Sequence, residues 1–129
     1  MRELKLNLAY YKVLITIKEL NDDNFFPLNE GVFKILTGSE DEETLMHQYI
    51  STYGTLTSFS SKKVCRLTMM LFRYGYLGKI FDSQTKKLYF QVSEKGLAAV
   101  DAFLKKHNKP FSRKQRKVST TIVKIDSNL

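Results

Sequence analysis

The chain has 129 residues, 43% of them hydrophobic and 12% aromatic, and its 21 Lys and Arg against 13 Asp and Glu give a formal net charge of +8. That length allows one domain with one small core and excludes a two-lobed nucleotide-driven motor; no GxxxxGK[ST], GxGxxG or HExxH occurs. The single cysteine, Cys65, excludes an internal disulfide and a four-cysteine zinc site, and with His47 and His107 it makes no ligand spacing.

The elements follow in order. Tyr10, Val13, Leu14, Ile17 and Leu20 recur at helical spacing and predict a helix over 4–20, ended by Asn21-Asp22-Asp23-Asn24. Phe25-Phe26-Pro27-Leu28 suits an edge strand or an extended lead-in. Asn29 is placed to cap a short helix carrying Val32, Phe33, Ile35 and Leu36, with Gly38 as its stop. An acidic loop (39–43), a brief helix over 45–50 and a turn-rich stretch (51–60) follow.

The best-defined helix is 61–74, with Ser60 as N-cap and Gly75 at its left-handed end. At about 100° per residue, Val64, Leu67, Leu71 and Tyr74 share one side. Lys62, Arg66, Met69 and Arg73 share the other. Residues 76–81 and 87–92 then read as the two strands of a hairpin around the polar turn 82–86. Ser93 caps a last helix with Leu97, Ala99, Val100, Phe103 and Leu104 as its apolar set. Beyond Lys106 the composition turns polar and basic, and 118–125 is β-prone. The expectation is an α+β winged helix over 1–106, whose helix before the hairpin wing is the one that faces DNA, and a basic C-terminal tail over 107–129.

Charge is segregated along the chain. Glu19 to Glu43 holds eight acids and one base, Lys34, a net of −7. Lys62 to Lys95 holds eight bases and two acids, a net of +6, and residues 105–129 hold eight bases and one acid, a net of +7. A basic patch with a basic tail is the electrostatic footprint of a nucleic-acid binder.

Residues 8–104, about three quarters of the chain, resemble the RQC winged-helix domain of RecQ-family DNA helicases. The resemblance is carried by Val32 to Ser39 with its Ile35-Leu36-Thr37-Gly38-Ser39 end, by Ile50-Ser51-Thr52-Tyr53-Gly54, by Leu71 to Leu77 with Gly75-Tyr76-Leu77, and by Leu88 to Val92 leading into Ser93-Glu94-Lys95-Gly96. It implies binding of duplex or junction DNA. The helicase motor and the four-cysteine zinc module of that family are absent, Thr37 stands where the family is often basic, and the wing turn Ser83-Gln84-Thr85 has no aromatic. The expectation is therefore a binder, not an enzyme, with no cofactor and no metal.

The residues expected to meet DNA are Lys62, Lys63, Arg66 and Arg73 on the 61–74 helix; Ser58, Ser60 and Ser61 at its start; Lys79, Lys86 and Lys87 on the wing; and Arg113, Lys114, Arg116 and Lys117 in the tail. No acid lies between Lys62 and Phe81. About five phosphate contacts would give a log–log salt slope of about −4 to −5. No Asn or Gln on the outer face of that helix offers base readout. Tyr53, Tyr10, Tyr11 and Cys65 read as packing residues, and His47 and His107 as surface residues. Two rival functions are a dimeric winged-helix transcriptional regulator and a protein-interaction module using the Glu40 to Glu43 loop. The chain has no apolar run of membrane-spanning length, and Met1-Arg2-Glu3-Leu4 lacks signal-peptide order, so a soluble cytoplasmic protein is expected.

Overall fold

The computed structural model describes residues 4–107. They form five helices and one two-stranded antiparallel sheet: α1 (Leu8–Asp22), α2 (Asn29–Thr37), α3 (Glu42–Leu45), α4 (Ser61–Arg73), β1 (Leu77–Asp82), β2 (Lys87–Val92) and α5 (Glu94–His107). This α+β order is compatible with a winged helix. None of the helices is long and apolar enough to cross a membrane.

Helix α1 is the axis of the core. Val13, Leu14, Ile15, Thr16, Ile17 and Leu20 are all buried, so it is covered on nearly every side. Full burial of each large aliphatic side chain contributes about 1.5–3 kcal/mol. The helix starts at Leu8, four residues later than its apolar pattern suggests, because the Asn7 side chain accepts the Tyr10 N–H and fixes the first turn there. It ends at Asp22, two residues beyond the expected stop. The hydroxyls of Thr16 and Thr52 meet inside the core, and Thr16 also donates to the Lys12 carbonyl at 2.7 Å.

Asn29 is not the cap of α2. Leu28 occupies that position, and the Asn29 side chain instead accepts the Thr68 hydroxyl of α4. Gly38 does stop the helix, at φ 77°. Its neighbour in space is Gly54, at φ 71°; a Cβ on Gly38 would sit 3.2 Å from the Gly54 Cα. The Gly54 N–H donates to the Ile35 carbonyl at 2.8 Å and the Tyr53 hydroxyl to the Ser39 carbonyl at 2.8 Å. Two motifs read separately in the sequence, around Gly38-Ser39 and Tyr53-Gly54, are thus one close backbone contact. The brief helix expected over 45–50 lies instead at Glu42–Leu45, because the Asp41 carboxylate caps the Thr44 N–H at 2.8 Å and starts it earlier.

The hairpin has an unbroken register from Leu77↔Val92 to Asp82↔Lys87. Residues 25–28 run extended beside its outer edge, where the Phe90 N–H donates to the Pro27 carbonyl at 2.8 Å. The Asn21 carboxamide continues that edge. Its Nδ2 donates to the Phe90 carbonyl at 3.4 Å and its Oδ1 accepts the Val92 N–H at 2.9 Å. Helix α5 is capped by the Ser93 hydroxyl, which accepts the Gly96 N–H at 3.1 Å. It closes on α1 through Tyr11 and Phe103, stacked at 4.2 Å. Val100 and Phe103 are buried as expected, but Leu97 is exposed: α5 touches the core with one narrow stripe, which Leu97 misses.

A candidate nucleic-acid interface

Helix α4 forms where the sequence puts it. The Ser60 hydroxyl accepts the Lys63 N–H at 3.1 Å, and Gly75 follows the Tyr74 cap at φ 87°. Val64, Leu67, Thr68 and Leu71 are buried, which turns Lys62, Arg66, Met69 and Arg73 outward as one stripe. Cys65 and Met70 are half-buried on its flanks. These side chains line a shallow open depression along the helix.

None of Lys62, Lys63, Arg66, Arg73, Lys79, Lys86 and Lys87 makes an ion pair among the described residues. Two of them rest on aromatic rings: Lys63 Nζ lies 4.6 Å from the centre of Phe59, and Lys79 Nζ lies 4.5 Å from that of Phe72. The second contact spans β1 and α4, so it carries the cationic surface from the helix onto the hairpin.

The hairpin lysines do not form one group. Successive side chains on a strand point to opposite faces. Lys79 shares a face with Phe81 and, across the strands, with Leu88 and Phe90. Lys87 lies on the other face with Tyr89, in a groove that also holds Phe25, Glu30, Glu43 and His47. Lys86 sits in the turn at φ 62°. Ser58 and Ser61 are exposed just ahead of and at the first turn of α4, whereas the Ser60 hydroxyl is occupied as the cap. Arg113, Lys114, Arg116 and Lys117, with the β-prone 118–125, lie outside the described residues.

Three exposed apolar side chains beside the cations were not singled out by the sequence: Phe72 on α4, Phe81 (57% exposed) and Leu88 (49%). Phe81 and Leu88 pair directly across the hairpin, one step inside its turn. The alternation of the strand carries the signal. Leu77 and Phe90 on the same face are buried, and Phe81 and Leu88 continue that face past the end of the core.

His107 is exposed, as expected of a surface residue, whereas His47 differs. His47 is half-buried between the rings of Phe25 (4.6 Å) and Tyr49 (6.2 Å), and its Nδ1 is buried without a hydrogen-bond partner among the described residues. His107 lies against Phe103 at 4.4 Å. No group of three His, Cys, Asp or Glu that could hold a metal occurs among the described residues.

No family model matches this chain, and no curated protein or solved structure does. The outer face of α4 can place three long cations, Lys62, Arg66 and Arg73, along one line, with Lys79 beside them. Such a line suits a polyanion, and it carries no acid that would repel one.

Proposed function

We propose that the chain is a winged-helix protein, RQC-like in outline, that binds duplex or branched DNA mainly through the phosphate backbone and without a catalytic step. The observation that carries this reading is the unpaired state of the cations: Lys62, Arg66 and Arg73 on α4, with Lys79 and Lys86 on the hairpin, make no ion pair among the described residues. Residues 25–28 supply the short extended segment that a winged helix places beside its hairpin, and the Gly38–Gly54 contact joins two of the motifs behind the resemblance. In this reading α4 faces the duplex and the hairpin is the wing. Arg and Lys ends neutralise phosphates, and the exposed start of α4 with Ser58 and Ser61 fixes orientation.

The test is fluorescence anisotropy with blunt duplex, forked duplex and single-stranded DNA over a salt series. Tighter binding to duplex or fork is expected, with a slope of about −4 to −5. The pair Lys62→Ala and Arg66→Ala should flatten that slope by about 2 and weaken binding tenfold or more at low salt. Equal binding to all three DNAs that survives this pair would reduce the activity to unspecific charge. An absence of binding at low salt would sink the reading.

A further inference from the structure

The acidic and the basic stretches of this molecule form no ion pair with each other among the described residues. Every ion pair among the described residues is local: Lys18–Asp22, Lys34 with Glu30 and Asp41, and Lys105–Asp101. None joins the acidic 19–43 region to the basic 62–95 region. The separation follows from how α2 is used. Asn29 faces α4, whereas Glu30 and Lys34 sit on the order of 120° round the helix, on the side where Asp41 begins α3.

Lys34 takes up Glu30 and Asp41, each at 3.3 Å, which leaves Glu40, Glu42 and Glu43 exposed and without an ion pair among the described residues. Exposed apolar side chains lie among them: Met46 (68% exposed), Leu45 and Phe25. The α4 surface is built the same way with the opposite sign, from Lys62, Arg66 and Arg73 around Met69. A phosphate backbone makes no use of exposed methionine. A protein surface does, because an unbranched thioether packs against irregular apolar neighbours. Each molecule thus carries both halves of a complementary pair in equal number.

We propose that the α3 face of one copy docks on the α4 face of a second copy, head to tail. Glu40, Glu42 and Glu43 face Lys62, Arg66 and Arg73 in this contact, and Met46 packs near Met69. The two patches differ, so the contact is heterologous and each copy keeps one patch free; the assembly extends or closes into a ring. It also covers α4. The proposal does not depend on DNA binding, since it is tested without nucleic acid.

The experiment is sedimentation velocity on the full chain, freed of nucleic acid, over a range of concentrations at about 50 mM and about 500 mM salt, where the Debye length falls from roughly 14 to 4 Å. At low salt the average mass should rise with concentration. At high salt it should return to the 15.0 kDa monomer. Two variants neutralise one patch each: Glu42→Gln with Glu43→Gln, and Lys62→Gln with Arg66→Gln. Each alone should be monomeric. Mixed one to one, they should form a heterodimer that grows no further, because only one intact pair of patches remains. That recovery also shows both variants folded. A wild-type chain monomeric at low salt overturns the proposal. So does association that survives either variant, which would assign the contact to other residues, the basic 105–117 segment included. A mixture that stays monomeric overturns it as well.

Discussion

The acidic stretch from Glu19 to Glu43 and the basic stretch from Lys62 to Lys95 carry nearly equal and opposite charge, −7 and +6, and use it differently. Half of the eight acids hold local structure together. Glu19 accepts the Ser51 N–H at 2.8 Å and its hydroxyl, Asp23 accepts the Tyr49 hydroxyl, Asp22 meets Lys18 at 2.8 Å, and Asp41 caps α3. The bond to Asp23 pushes the Tyr49 pKa up to about 12. The bases hold little beyond themselves. Lys95 is the exception, donating to the Tyr74 carbonyl at 2.8 Å. Short carboxylates lie close to backbone N–H groups at caps and turns, and long lysine and arginine stems carry their charge away from the chain. So half of the acidic region is bound internally, and Glu40, Glu42 and Glu43 with nearly the whole basic region are left for something outside.

Both regions hang on one frame, and the substitution expected to do most damage breaks it. A Cβ on Gly96 would lie 2.2 Å from the Tyr76 carbonyl oxygen and 2.6 Å from Val92 Cγ1. Gly96→Ala must push α5 off the base of the hairpin. It should cost about 3 kcal/mol or more in urea denaturation, and a loss below about 1 kcal/mol would show that α5 docks loosely. Next comes Glu19→Ala, which strands the Ser51 N–H and hydroxyl. It should cost about 2 kcal/mol and leave DNA affinity unchanged. The pair Lys62→Ala and Arg66→Ala is the converse. Stability should stay within about 0.5 kcal/mol of wild type while DNA affinity falls. If these two variants moved the same quantity, the division between structural acids and free bases would fail.

The smallest effect is a pH dependence. The Thr44 N–H, then the Ser39 hydroxyl, hold the Asp41 carboxyl well below the usual carboxylate range. A depressed pKa in the folded state means that the stabilisation is complete above the unfolded value of 3.8 and is lost as pH falls through the folded value. Asp41→Ala should therefore lower the melting temperature at neutral pH, and the gap from wild type should begin to shrink as pH falls below 3.8 and keep shrinking toward the folded value. A gap that closes between pH 7 and 5 would assign the effect to another group.

Local signals carried most of the fold in the sequence. Ser60, the 64–67–71 apolar spacing and Gly75 fix α4 without outside help, and the hairpin follows from two β-prone runs around a polar turn. What the sequence hid depends on distant partners. Asn29 looks like a cap until Thr68 claims its side chain, and the 45–50 segment looks helical until Asp41 starts α3 earlier. The cationic stripe was legible because helical period alone sets it. The turning of Lys87 away from Lys79 follows from strand alternation once the hairpin register is known, whereas the exposure of Phe81 and Leu88 depends also on where the core ends beneath the hairpin, which alternation alone does not state.

The Asn21 carboxamide lies along β2 as a single peptide group would, offering one donor and one acceptor at the spacing of a neighbouring strand. With Pro27 it closes that side of the sheet, so among the described residues only β1, at Lys79 and Phe81, keeps an outer edge. An open sheet edge invites strand addition. Here that growth has a terminus built in: two hairpins can share their β1 edges, and a third finds no strand to join. Asn21 and the Pro27 carbonyl together thereby separate a sheet that can at most pair from one that could polymerise.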